Sequence, residues 1–195
     1  MPPPESVKRL LIVDDEKPLR FLFSMALDQE DYTVDEAANG REALNLLQEH
    51  EYDLVLLDLS MPGLSGLDVL KTMRARKDMT RVGIISAFIP GSAVLTAASL
   101  GVTSFLGKPM TLDFLRKAVD ESLLLKSDNL LSRAHALASK LEFSKAFQIL
   151  QRAQSELTPT ASLWMNLYRE FARQKSPAEL THWEPRLRKL ILSES

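Results

Sequence analysis

The stretch LIVDDEKP, residues 11–18, decides how the chain is read. An apolar run with the character of a buried strand passes directly into three acids, Asp14, Asp15 and Glu16. A carboxylate is costly to bury without a partner, and adjacent carboxylates repel one another. The plain explanation is a solvated strand end that also caps the next helix. A sharper one requires other strand ends to bring chemistry to the same place.

Apolar runs of the same kind recur at 9–13, 54–57, 82–85 and 104–106, with 32–36 as a fifth. Helix-period segments lie between and after them, at 17–30, 41–50, 67–76, 93–100 and 112–125. The run at 54–57 is continuously apolar, which suits a parallel strand covered on both faces. Five strands alternating with helices predict an α/β doubly wound domain on a five-stranded parallel sheet, spanning 7–127 after a loose tail at 1–6. In such sheets ligands bind outside the carboxyl ends of the strands.

Those ends carry Asp14-Asp15 after the first strand, Asp58 after the third, Ser86-Ala87 after the fourth and Lys108-Pro109 after the fifth. Singly, Asp58 reads as a turn residue, Ser86 as a cap and Lys108 as a solvated loop charge. Together they place three carboxylates, a hydroxyl and an ammonium at one edge of one sheet. Hard carboxylate oxygens suit Mg²⁺, or Mn²⁺ in its place, and the metal cancels their mutual repulsion.

Bulk composition narrows the classes. The 195 residues are 45% hydrophobic and 26% charged, which is globular rather than disordered. With no cysteine, disulfides and thiolate metal sites are excluded. No apolar run approaches the ~20 residues that span a bilayer, and MPPPESVKR lacks a signal-peptide core. A cytoplasmic location is the expectation. Residues 1–127 hold 14 Lys+Arg against 19 Asp+Glu, whereas 128–195 hold 10 against 7. So mild a basic excess does not predict nucleic-acid binding.

The stretches LIVDDE, AANGREALNLL, YDLVLLDLSMPGLSGLDVL, GIISA and GVTSFLGKP, in this order and spacing, resemble the receiver domain of two-component response regulators over about residues 7–125. The resemblance implies that Asp58 accepts a phosphoryl group from a phosphohistidine on a sensor histidine kinase or phosphotransfer protein. It implies metal ligation by Asp15, Asp58 and the Ser60 carbonyl, with Asp14 acting mainly through water. Lys108, ahead of a cis Pro109, would pair with a phosphoryl oxygen. Ser86 would move to bond the phosphoryl group while Phe105 turns inward as the switch. Ser60 and Phe88 occupy the positions that tune phosphoryl lifetime, and the bulk of Phe88 predicts slow hydrolysis. A homodimer is a family option, although Ile89-Pro90-Gly91 interrupts the approach to the fourth helix. The chemistry would be the domain's own phosphoryl transfer and dephosphorylation, not the turnover of a metabolite.

From Ser127-Asp128-Asn129 onward the pattern is helical, and 128–195 reads as a small all-α domain with helices at about 130–141, 144–157, 160–174 and 177–192. The stretch LEFSKAFQILQRA, residues 141–153, resembles the second half of a tetratricopeptide repeat, with Ala146 and Ala153 at the small-residue positions. On the same frame Trp164, Leu167 and Phe171 fall on the aromatic and leucine positions of the next repeat. Ala134, Tyr168 and Leu180 depart from it, and ordinary helical core periodicity is the competing explanation. The tail is therefore expected to be a tetratricopeptide-like module that binds a downstream protein. One alternative is a DNA-binding tail, for which only Arg186-Leu187-Arg188-Lys189 speaks. The other is a phosphotransfer helix around His135, which lacks the lysine and glycine expected after it.

Overall fold

The computed structural model describes residues 7–28, 32–87, 100–124 and 143–152, and single positions 93, 96, 97, 134, 165 and 169. Two compact units, Met1–Val82 and Gly83–Ser195, divide the chain within its fourth strand. The elements run β1 Lys8–Val13, α1 Lys17–Leu27, β2 Tyr32–Ala37, α2 Gly40–Glu49, β3 Leu54–Asp58, α3 Gly66–Ala75, β4 Arg81–Ser86, β5 Ser104–Gly107, α4 Leu112–Leu124 and α5 Phe143–Arg152. The strands form the expected five-stranded parallel sheet, in the order β2-β1-β3-β4-β5.

In the first unit, Leu10, Leu11, Ile12 and Val13 of β1 and every residue of β3 are buried. Such runs suit strands covered on both faces. β2 alternates partly exposed polar residues with apolar ones, as an edge strand does. The direction of sheet growth reverses at β1, which pairs with β2 on one side and β3 on the other. That reversal opens the crevice where doubly wound sheets bind ligands.

Side chains cap α2, α3 and α4, whereas α1 lacks such a cap. Asn39 accepts from the Glu42 amide (3.0 Å) while Glu42 accepts from the Ala38 amide (2.7 Å), a reciprocal cap for α2 that differs from the capping box in reaching the residue before the N-cap. Ser65 caps α3 by accepting from the Asp68 amide, and the Thr111 hydroxyl accepts from the Phe114 amide at the start of α4. Glu16, at the N-cap of α1, makes no side-chain capping bond. Helix capping therefore does not account for the acids of residues 14–16. α3 ends in a Schellman arrangement, with Asp78 N–H on the Met73 carbonyl and Lys77 on the Arg74 carbonyl. Lys77 takes the left-handed position there, φ 62°.

In the second unit β4 and β5 pair in parallel, Gly83 with Ser104 through Ser86 with Gly107. The Lys108-Pro109 bond is cis, as expected. Helix α1 stops at Leu27 instead of residue 30, with the Asp28 amide on the Ser24 carbonyl. In the expected 93–100 segment, positions 93, 96 and 97 are helical, Leu100 is in a turn, and the other positions lie outside the described residues. In the tail, α5 falls at the expected second helix, positions 134, 165 and 169 are helical, and Ala134, Ala146 and Met165 are buried. Ala153, Trp164, Leu167, Tyr168, Phe171, Leu180 and His135 lie outside the described residues. Among the described residues no helix is long and apolar enough to cross a membrane.

A charge network ties β1, β2 and the loop after α2 together. Arg9 bonds Asp35 through Nε (2.8 Å) and Nη2 (2.7 Å), and the Tyr52 hydroxyl donates to the same carboxylate oxygen (2.8 Å). The Arg9 guanidinium lies 5.3 Å from the Tyr52 ring centre, within cation–π range. Burial alone would raise the Asp35 carboxyl, but the Arg9 and Tyr52 hydrogen bonds and the Arg9 charge outweigh it and hold the group below the ordinary carboxylate range. Burial, and then the Asp35 carboxylate, push the Tyr52 phenol upward. A carboxyl lowered by folding stabilises the protein above its unfolded value, about 3.9, and that contribution fades as pH falls through the folded value. A phenol raised by folding stabilises fully below about 10, and that contribution fades as pH rises. Urea midpoints recorded across pH are therefore expected to fall at both extremes. Asp35→Asn should lower the midpoint at neutral pH and flatten the acid limb, and Tyr52→Phe should flatten the alkaline limb.

Candidate functional site

The parallel register sets the site. Val13, the last residue of β1, pairs with Leu57, so Asp14 and Asp58 follow at the same level on neighbouring strands. Both are nearly enclosed, with 2% and 4% of their surface exposed. Burial at those levels separates them from ordinary solvated turn acids. Each carboxylate is aimed by the backbone two residues on: Asp14 Oδ1 accepts from the Glu16 amide (2.9 Å) and Asp58 Oδ1 from the Ser60 amide (2.9 Å). These are paired Asx turns at two strand ends.

The turn at Asp14 brings Glu16 back over the crevice. Carboxylate oxygens of Asp14, Glu16 and Asp58 lie within 4.8 Å of one another. At an effective dielectric of about 20, unit charges so close repel by roughly 3 to 4 kcal/mol per pair. Three hard oxygen donors at this spacing, two of them in a buried setting, are the donor set for a small divalent cation that keeps part of its water. Mg²⁺ fits this group.

The structure brings Asp14 and Asp58 together and places Glu16 beside them. Asp15 is exposed and stands outside the group. Ser60 is exposed and contributes its amide to Asp58. Close packing fixes the other side of Asp58. A Cβ built on Gly66 would sit 2.0 Å from the Asp58 carbonyl oxygen and 2.8 Å from its carbon, so only glycine lets α3 start there. Gly63, in the left-handed region at φ 77°, turns the chain between them after Pro62.

In the second unit Ser86 and Lys108 are both buried, and the Lys108 amide donates to the Ser86 carbonyl (3.0 Å). The register explains it, because Ser86 pairs with Gly107. Phe105 is buried on β5 opposite Ile84. Phe88 lies outside the described residues.

Arg20 is the residue near the site that sequence reasoning missed. Its guanidinium is buried, donates from Nη1 to the Asp14 carbonyl (2.6 Å) and from Nε to Glu36 (3.0 Å). A signal was present: Arg20 follows Glu16 by four residues, one helical turn beyond the acids, on a face shared with Phe23 and Leu27.

Comparison with known proteins agrees with this geometry. The response regulator receiver domain family matches residues 10–120, and the chain belongs to that family. It is 36% identical over 121 residues to sporulation initiation phosphotransferase F of Bacillus subtilis (strain 168), covering 62% of this chain and 98% of that protein. It is 34% identical over 122 residues to the regulatory protein AtoC of Escherichia coli (strain K12), covering 63% of this chain but 26% of that one. The structure of the response regulator TrrA from Thermotoga maritima, in complex with Mg²⁺ and BeF, superposes with a TM-score of 0.54 at 36% identity, covering 60% of this chain and 99% of that one. Related proteins thus include a phosphotransferase and transcriptional regulators.

Gly66→Ala tests the packing behind Asp58. The added methyl meets backbone, which cannot swing aside, and overpacking of this kind costs about 2 to 3 kcal/mol. The expected result is a matching fall in the urea midpoint.

Proposed function

We propose that the chain is a response regulator that takes a phosphoryl group on Asp58 from the phosphohistidine of a sensor kinase or phosphotransfer protein. Residues 128–195 then pass the signal on as a helical module that binds a downstream protein. The observation that carries the first part is the pair of buried, backbone-aimed carboxylates, Asp14 and Asp58, converging with Glu16 at the strand-order reversal.

Bound Mg²⁺ would supply positive charge to the carboxylates and to the entering phosphoryl oxygens. Asp14, Asp58, the Ser60 carbonyl and one of Glu16 or Asp15 would hold it. The Asp58 carboxylate attacks phosphorus in line, an O–P bond forms as the P–N bond breaks, and imidazole leaves with the electron pair. The resemblance assigns Lys108 to a phosphoryl oxygen and the Ser86 hydroxyl to another, with Phe105 repacking as Ser86 moves. Such a transfer needs charges placed in advance more than covalent chemistry, which suits residues anchored at strand ends. The lifetime of the acyl phosphate is assigned to Ser60 and Phe88. On this reading the domain catalyses only its own phosphorylation and dephosphorylation. A cytoplasmic setting goes with a kinase partner.

A second reading makes the tail a DNA-binding output, and the transcriptional regulators among the relatives favour it. The chain spans only 29% and 35% of those two proteins, so the match does not extend to most of their length.

Both tryptophans, Trp164 and Trp183, lie in the tail. Tryptophan emission of the full chain, recorded while beryllofluoride and Mg²⁺ are added, is expected to change saturably, and to stay constant in Asp58→Ala. A salt-dependent mobility shift of duplex DNA by the full chain would favour the second reading instead.

A further inference from the structure

Arg20 is a buried cation whose bonding differs from that of a simple ion pair. One arm, Nε, meets Glu36 at the end of β2 (3.0 Å), and the other, Nη1, meets the carbonyl of Asp14 (2.6 Å). Other bonds of Asp14 converge with this one. Its amide donates to the Ala37 carbonyl (3.1 Å), its Oδ1 accepts from the Glu16 amide (2.9 Å), and the Arg20 amide closes the turn on the Glu16 carbonyl (3.0 Å). Asp14 is therefore held at its amide by β2, at its carbonyl by α1, and at its carboxylate by its own turn.

An ion pair that served only stability would be complete with Glu36. The bond to Asp14 adds something else: it fixes the peptide plane at the start of the turn that carries the buried Asp14 and the exposed Glu16 side chains. A planar guanidinium suits this, because its fork can meet a carboxylate and a carbonyl at once, whereas an ammonium is a point charge. We infer that Arg20, buttressed by Glu36, is the positioning residue of the Asp14–Glu16–Asp58 cation site, acting through the Asp14 carbonyl and not through its charge. This rests on the reading of that cluster as a Mg²⁺ site.

The sign of one measurement separates geometry from charge. A cation beside a metal site opposes metal binding, so removing it would tighten Mg²⁺ if charge dominated. Glu36 already offsets that charge, so loss of positioning is expected to win. Residues that orient metal ligands typically change affinity by 10–100-fold when altered. Mg²⁺ alone is titrated into the full chain, followed by amide chemical shifts, with circular dichroism as the check of folding. Arg20→Met is expected to weaken Mg²⁺ about tenfold. Arg20→Lys, which keeps the cation and loses the fork, should also weaken it, and it serves if Arg20→Met does not fold. The Mg²⁺ concentration for half-maximal phosphorylation by acetyl phosphate should rise in parallel, with the maximal rate within about twofold of the parent's.

Unchanged or tighter Mg²⁺ binding in folded Arg20→Lys overturns the inference, as does a parent that binds no Mg²⁺. A lower maximal rate with an unchanged Mg²⁺ midpoint overturns it too, because a purely structural role only reduces the active fraction. A parent that binds Mg²⁺ but gains no phosphoryl group at Asp58 overturns the phosphoacceptor reading alone. The Mg²⁺ titration still decides the role of Arg20.

Discussion

Two carboxylates held in the protein interior at the same level of neighbouring parallel strands repel each other, and the first half of the chain is organised around keeping them there. Parallel pairing of Val13 with Leu57 makes Asp14 and Asp58 neighbours whatever their side chains prefer. The four apolar residues that precede each acid supply the opposing drive, since burial of a Leu, Ile or Val side chain contributes about 1.5 to 3 kcal/mol. Repulsion of roughly 3 to 4 kcal/mol per pair is tolerable against several such residues on each strand. The acids stand where they do because the strands behind them are worth more buried than the acids lose.

Much of this was legible in the sequence because periodicity and burial coincide. β1 and β3 are continuous apolar runs, and strands covered on both faces leave that signature. β2 was the weakest strand in the sequence for a physical reason: as an edge strand it carries Thr33, Asp35 and Glu36 where a central strand would carry valines. Of the site residues, Asp14 and Asp58 follow from the ends of predicted strands.

What the sequence could not yield is direction. In Asp14-Asp15-Glu16 any two side chains could face the crevice; in the structure Asp14 Oδ1 accepts from the Glu16 amide and Glu16 lies with Asp14 and Asp58. Spacing alone carries no trace of it. Arg20 was easy to overlook. A charged residue on an amphipathic helix reads as solvated, although its spacing to Phe23 and Leu27 put it on the buried face, from which it reaches back six residues to the Asp14 carbonyl. Lys77 is a third instance: nothing about a lysine announces the left-handed residue that ends α3, a position glycine usually fills. Of the tail, one full helix and three buried positions are described, so the register of the repeat-like pattern rests on sequence.

The second unit shows how a local change at a strand end would travel. Ser86 is bonded through its carbonyl to the Lys108 amide and paired with Gly107, so neither β4 nor β5 can shift at that end without the other. Phe105 lies two residues back along β5, and Ser104 one residue further. The buried Ser104 hydroxyl accepts from Ser122 on α4 (3.3 Å), near that helix's last turn. Packed interiors respond to displacement by moving as bonded groups, not by deforming continuously. A shift of β5 would therefore pull on the carboxyl end of α4 through the Ser104–Ser122 bond, and α4 is the last receiver element before residue 125. This buried bond ties β5, the strand of Phe105, to the last turn of α4.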